Sequence, residues 1–332
     1  MANLKLSVLD QSPISAGNSP TDAIAASVEL AQHCDQLGYR RYWLSEHHSN
    51  PALAGSSPEI LITRIAGLTK NMRIGAGGVM LNNYSPLKIA ETFKVLHALF
   101  PGRIDLGLGR AIDGDQRRRN PLAVNGGSPD GKSYIEKIWQ ILKSLDINEV
   151  GTTPQNTDRN ISTSGGPEIW LLGSSKTSAS DAANLSISYS YAHFINQADS
   201  VKAMNFYREE YKPAAAKTKP QGSICVFVIC AETQEAANHI ALSHAGYLVD
   251  QRTRIPGAIP APQTVQETSY TPQQTRLLKE HLKRTIAGPP QTIKAKLTAL
   301  ATAHSVDELI ILTNTYDFED RLRSYGLLAD LI

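Results

Sequence analysis

The chain has 332 residues, long enough for one barrel of about 250 residues plus insertions, or for two domains. With 41% apolar and 19% charged residues it is too apolar to be disordered, yet no apolar run approaches the roughly 18 residues of a membrane span. A net charge of +2 supplies no field to draw in nucleic acid, and neither nucleic acid nor membrane is expected as a partner.

The start of the chain, Met1 to Leu6, lacks the apolar stretch of a signal peptide. Three cysteines complete the picture of a cytoplasmic protein. Cys34 falls in a helical pattern. Cys225 and Cys230 fall five apart on one short strand, on opposite faces, so they cannot pair or share a metal.

Short β-branched runs alternate with amphipathic helices along the sequence. Leu4 to Asp10 reads as a first strand. A helix capped by Thr21 or Asp22 then runs to about Leu37 and stops at Gly38. Arg41 to Ser45 is a strand and Pro58 to Lys70 a helix. Arg73 to Met80 is a glycine-rich strand, and Pro86 opens a helix reaching Phe100, which Pro101-Gly102 breaks. Arg103 to Gly109 is the fourth strand.

Ala111 to Gly131 is expected as loop, and its Arg117-Arg118-Arg119 lacks the interleaved aromatics of a nucleic-acid patch. Lys132 to Leu145 is a helix and Val150 to Pro167 a polar loop. Strands follow at Ile169 to Leu172, Ser188 to Phe194, Ile224 to Ile229 and Glu308 to Leu312. Helices lie over Thr177 to Leu185, Asp199 to Tyr211, Thr233 to Arg252, Pro290 to His304 and Asp317 to Leu331. Pro256 to Pro272 is proline-rich and expected to be irregular, a lid or insertion within about 253–288.

Eight strands alternating with helices predict a (β/α)8 TIM barrel, a single domain over 1–332 with loop insertions at its C-terminal face. The rival doubly wound sheet would carry GxGxxG after the first strand. Gln11 to Gly17 stands there instead.

In a barrel, chemistry collects at the C-terminal strand ends. Those ends hold Asp10-Gln11-Ser12, Glu46-His47-His48, Gly77 to Asn83, Gly109-Arg110, Gly173-Ser174-Ser175, His193-Phe194 and Thr313-Asn314. Adjacent strand residues alternate in direction, so Glu46-His47-His48 offers one histidine to the axis and no metal site. A neutral imidazole with a carboxylate beside it suits acid/base work; a structural histidine pair is equally open. Arg110 after Gly107 and Gly109 is a fixed cation suited to phosphate or to an acidic neighbour. Gly173 to Ser178 opens a helix and suits an anion, although capping alone would explain its serines. Together with Arg110 it could close on one phosphate, each charge-assisted bond contributing about 1.5–3 kcal/mol. Gly75 to Gly78 reads as a bulge, as tight strand packing, or as a wall open to an aromatic ring system.

In Tyr42 to His48, Gly77 to Leu81, Ser85 to Glu91, Pro101 to Arg110 and Trp170 to Ser175, the sequence resembles the bacterial luciferase-like, flavin-dependent monooxygenases, in particular their single-subunit branch. The order and spacing match to about residue 200, and more loosely at Val306 to Leu312. The resemblance implies a (β/α)8 barrel that binds FMN, taken in reduced form from a separate NAD(P)H:flavin reductase, and oxidises a small organic substrate with oxygen through a peroxyflavin. It implies His47 as the active-site histidine with Glu46 beside it. It also implies Gly77, Gly78, Gly109, Arg110, Gly173, Ser174, Ser175, Ser178 and His193 around the flavin, no metal, and a possible homodimer. A non-proline cis peptide is implied at Gly77-Gly78. Ala111 to Gln116 and Asn82-Asn83-Tyr84 depart from the branch pattern, which bears on the substrate more than on the flavin. A deazaflavin-dependent dehydrogenase on the same fold, a non-catalytic flavin-binding protein and a metal-dependent barrel hydrolase are the competing expectations.

Overall fold

The structure, a computed structural model, describes residues 4–110, 131–145, 165–214, 218–253 and 257–331. The loop expected over 111–130 with Arg117-Arg118-Arg119, most of that over 150–167, and Pro256 lie outside the described residues.

The architecture is the (β/α)8 barrel the sequence predicts. In chain order the elements are β1 (Lys5–Asp10), α1 (Pro20–Gln36), β2 (Arg41–Leu44), α2 (Pro58–Leu68), β3 (Arg73–Met80), a 3-10 turn (Leu81–Asn83), α3 (Pro86–Leu99), β4 (Ile104–Gly109) and α4 (Gly131–Ser144). Then come β5 (Glu168–Gly173), α5 (Lys176–Asn184), β6 (Ser188–Ala192), α6 (Ser200–Glu209), β7 (Gly222–Cys230) and α7 (Gln234–Thr253). The chain ends with α8 (Pro262–Glu267), α9 (Pro272–Arg284), β8 (Ile286–Gly288), α10 (Pro290–His304), β9 (Glu308–Leu312) and α11 (Phe318–Ala329). Among the described residues, no helix is long and apolar enough to cross a membrane.

Two compact units divide the chain, Met1–Met72 with Ser223–Ile332, and Arg73–Gly222. In the first, β1 pairs in parallel with β2 and β9, and β9 with β7. In the second, β3, β4, β5 and β6 pair in parallel in sequence order. Alternating apolar residues such as Leu6, Val8, Leu309 and Ile311 are fully buried. Each such side chain contributes about 1.5–3 kcal/mol.

Ion pairs also join the strands, one fully buried and one half-buried at its arginine. Arg41 Nε and Ser7 Oγ both donate to Glu308 Oε1 at 2.5 Å. In the second unit Arg73 Nε donates to Asp105 Oδ1 at 2.6 Å. The three cysteines are buried and free, Cys225 and Cys230 on β7.

Helix starts follow local chemistry. Ser19 caps α1 and forms a capping box with Asp22. The expected cap at Thr21 or Asp22 is displaced because Pro20 occupies the first helical position, where its missing N–H costs nothing. The proline-rich segment is likewise more ordered than expected. Pro262 and Pro272 open α8 and α9, and Thr271 caps α9 in a box with Gln274. β8 is an additional short strand paired with β7.

Candidate active site

In the first unit, the loops after β1 and β2 are tied together. Ala54 N donates to the Ser12 carbonyl at 2.9 Å and Ile14 N to that of Ala52 at 2.7 Å. Residues 257–261 join this rim: Ile259 N donates to Ile14 O and Ala16 N to Ile259 O, each at 2.8 Å. Ile259 is fully buried against Ala52, Leu53 and Tyr247. This part of the expected lid segment is therefore anchored by backbone ladder bonds and apolar contact.

Asp10, the first polar residue at the end of β1, is committed to structure. It is fully buried and accepts from Arg321 Nη2 and Tyr42 Oη, both at 2.6 Å, and from Ser12 N at 2.8 Å. Burial opposes its ionisation, but Arg321 and these donors hold its pKa below the ordinary carboxylate value.

Glu46, His47 and His48 follow β2 and separate as alternation requires. Glu46 is buried, and its Oε1 lies 2.6 Å from His48 Nε2. The carboxylate expected to hold His47 thus binds the other histidine. His47 is held by its backbone N–H, which donates to Gly55 O at 2.8 Å, and by Gln11, whose Nε2 lies 3.3 Å from His47 Nε2. Gln11 Oε1 in turn accepts from Asn314 Nδ2 at 2.7 Å. Burial, with the neighbouring His48, pushes the His47 pKa down to about 4, so its imidazole is neutral at pH 7.

In the second unit, β3 and β4 approach closely. Gly77 pairs with Gly107, then Gly78 is bulged out of register before Val79 meets Leu108. The Gly77-Gly78 peptide is cis. A Cβ on Gly78 would lie 2.7 Å from both the Gly107 carbonyl oxygen and Leu172 Cδ1, so bulge and tight packing together require this glycine.

Arg110 follows Gly109 at the end of β4. Asn82 Nδ2 donates to its carbonyl at 3.1 Å, and its guanidinium lies 5.6 Å from the Tyr134 ring centroid. Its charge favours ionisation of Asp181 on α5, although burial keeps the Asp181 pKa above the ordinary value. Among the described residues, no hydrogen-bond acceptor meets this guanidinium.

The turn from Gly173 to Ser178 leads into α5. Ser175 caps the helix in a box with Ser178. Ser178 Oγ is occupied by the Ser175 carbonyl and by Tyr189 Oη, both at 2.9 Å. Gly173 is required here, because its Cβ would fall 2.3 Å from Ser178 Cβ. Tyr191 Oη and Asn196 Nδ2 bond the Ser174 carbonyl at 3.1 and 3.2 Å. Carbonyls of the turn are thereby directed into the protein, which leaves the amide end of α5 at the surface. His193 is buried just past β6, its N–H donating to Tyr191 O at 2.9 Å.

Among the described residues, no group of three His, Cys, Asp or Glu side chains could hold a metal. Sequence reasoning flagged Gln11 and Asn314 as polar strand ends but missed their link to His47. It also missed Tyr134, Tyr189 and Tyr191, whose supporting roles depend on contacts that cross between elements.

The sequence model of the luciferase-like monooxygenases matches residues 4–306. The chain belongs to this family. The protein YceB of Bacillus subtilis (strain 168) is 39% identical over 332 residues, covering 99% of each chain. The N-acetyl-S-alkylcysteine monooxygenase of the same organism is 33% identical over 345 residues, covering 99% of this chain and 98% of its own. Among solved structures, this luciferase-like monooxygenase is similar to apo-MsnO8, 35% identical with a TM-score of 0.89 over 99% and 98% of the two chains. It shares its fold with the oxygenating constituent of the Pseudomonas putida 3,6-diketocamphane monooxygenase, solved with FMN. That likeness is 17% identical, with a TM-score of 0.70 over 98% and 96% of the two chains. The family is one of oxidoreductases, and this chain is an enzyme of that class.

Proposed function

We propose that this enzyme is an FMN-dependent monooxygenase acting on a small organic substrate. The observation that carries this reading is the Arg110 guanidinium, placed over the Tyr134 ring and without a hydrogen-bond acceptor among the described residues. Its charge is felt at α5, whose amide end is exposed. A fixed cation and a helix N-terminus suit a dianionic phosphate monoester such as that of FMN.

Arg110, Ser174 and Ser175 would hold the phosphate. Ser178 would act through Ser175, since its hydroxyl is already bonded within the turn. Gly77, Gly78 and Gly109 would line the flavin's approach, with His193 just past β6. FMN, when bound in reduced form, supplies the electrons that activate oxygen. One oxygen atom goes to the substrate and the other leaves as water, so protons must reach oxygen in a controlled way. His47, neutral at pH 7, would hold and move such a proton, and Glu46 would fix His48 beside it.

Reduced FMN would come from a separate NAD(P)H:flavin reductase, making this the oxygenase half of a two-component cytoplasmic system. The FMN complex of 3,6-diketocamphane monooxygenase supports the choice of flavin. The related N-acetyl-S-alkylcysteine monooxygenase makes thioethers a sensible first substrate panel. Exposed Leu87, Val95 and Leu99 on α3 offer an apolar face for a homodimer.

The test pairs reduced-FMN binding with turnover on that panel. Arg110→Ala should weaken binding more than tenfold; an unchanged dissociation constant would refute the phosphate site. His47→Ala should bind reduced FMN normally yet lose substrate oxygenation; normal product formation would remove His47 from the mechanism.

A further inference from the structure

We infer that Asn314 and Gln11 form a two-residue relay that sets the tautomer of His47, placing its proton on Nδ1 and its lone pair on Nε2. The inference rests on the proposed role of His47 only for its catalytic consequence. The tautomer itself is a property of the folded protein.

Each step follows from what the groups can donate. A Gln amide has one accepting oxygen and one donating nitrogen at its two ends. Gln11 Oε1 accepts from Asn314 Nδ2 at 2.7 Å, which turns Gln11 Nε2 toward His47 Nε2, 3.3 Å away. That amide nitrogen has nothing to accept with, so the ring nitrogen facing it must be the acceptor. The proton then resides on Nδ1.

Reversing both amides would also satisfy the two contacts, so the orientation must be decided elsewhere. Asn314 is fully buried, and its Oδ1 has no hydrogen-bond partner among the described residues. In the orientation found, its NH2 makes one bond and the cost is an unbonded carbonyl. Reversal would leave both N–H groups of that NH2 buried and unbonded, and buried orphan N–H groups are rarer than under-satisfied carbonyls. Burial at Asn314 therefore chooses the direction of the relay. It transmits that choice through Gln11, which is itself only half-buried.

The consequence concerns polarity. Gln11 occupies the Nε2 edge of His47, so the Nδ1 edge carries the N–H that can donate to an oxygen atom. Gln11 and Asn314 are positioning residues, since they act through His47.

The test is a long-range 1H–15N correlation spectrum of protein labelled at histidine nitrogen, with His47 assigned by the signals lost in His47→Gln. At pH 7 wild type should show a lone-pair Nε2 and a protonated Nδ1. Gln11→Glu presents only acceptors and should switch His47 to the Nε2–H form. Asn314→Asp cannot donate when ionised, so Gln11 should reverse and the same switch should appear two residues away. Asn314→Gln, which keeps a donor, should retain at least part of the wild-type pattern. A wild-type Nε2–H signal overturns the relay, as does an unchanged pattern in folded Gln11→Glu. Should Asn314→Asp fail to fold, Gln11→Glu at its half-buried position decides the matter. Reduced-FMN binding is measured on the same samples. Loss of binding with the predicted tautomers would sink the functional reading alone. Normal binding with the wrong tautomer would sink the relay alone.

Discussion

Glu46 Oε1 and His48 Nε2 lie 2.6 Å apart, so the carboxylate of the Glu46-His47-His48 run is joined to the second histidine and not the first. Glu46 is 2% exposed, and removing its carboxylate takes away the buried partner of the half-buried His48 ring. Glu46→Ala is expected to lower stability by about 1–3 kcal/mol, read by urea unfolding. His47→Ala is expected to cost less, since among the described residues its ring makes one hydrogen-bond contact, at 3.3 Å with Gln11. Equal losses in the two variants would contradict this division of roles.

The lowered pKa of His47 has a definite sign. The folded protein resists protonating this ring, whereas the unfolded chain takes up the proton near pH 6.5. His47 therefore makes its full contribution to stability above pH 6.5 and loses it as the pH falls toward 4. Its NMR signals should stay in the neutral form from pH 8 to about pH 5. Titration near pH 6.5 would show that burial and His48 do not act on it as described.

Asp10 and Arg321 form a fully buried pair at 2.6 Å. Arg321→Met should destabilise the protein by about 3–5 kcal/mol, because it leaves a buried carboxylate unpaired. With its folded pKa depressed, Asp10 stabilises above about pH 4 and ceases to do so as the pH drops through the folded value. Removing Arg321 leaves burial to oppose the Asp10 charge, so the stability gap between Arg321→Met and wild type should narrow as the pH falls and Asp10 is protonated. A gap that does not change with pH would show that the pair's charge does not govern it.

Gly173 and Ser178 test the turn that leads into α5. Gly173→Ala drives a methyl group into Ser178 and should cost about 1–3 kcal/mol while weakening reduced-FMN binding. Adding Ser178→Gly should recover part of the binding, because it removes the Cβ that obstructs. Ser178→Ala keeps that Cβ and should not. Recovery by both would point to the hydroxyl alone.

The barrel was legible because hydrophobic periodicity and helix stops are local. Arg73–Met80 and Pro290–His304 have the bounds their sequences announce. The proline-rich segment misled because proline both breaks helices and starts them, and Thr271 with Gln274 shows which applies. β8, three residues long, offers no period to read. Within the candidate site, the residue types at strand ends were legible and their pairings were not. Glu46 was adjacent to His47 in sequence yet bonds His48. Gln11 and Asn314, 303 positions apart, meet only through the parallel pairing of β1 with β9.

The most direct test of the central claim is an anaerobic titration of the protein with reduced FMN, reduced deazaflavin and oxidised FMN, followed by fluorescence. Reduced FMN is expected to bind tightest of the three, with a dissociation constant raised more than tenfold in Arg110→Ala. Preferential binding of the deazaflavin, or reduced-FMN binding indifferent to Arg110, would contradict it.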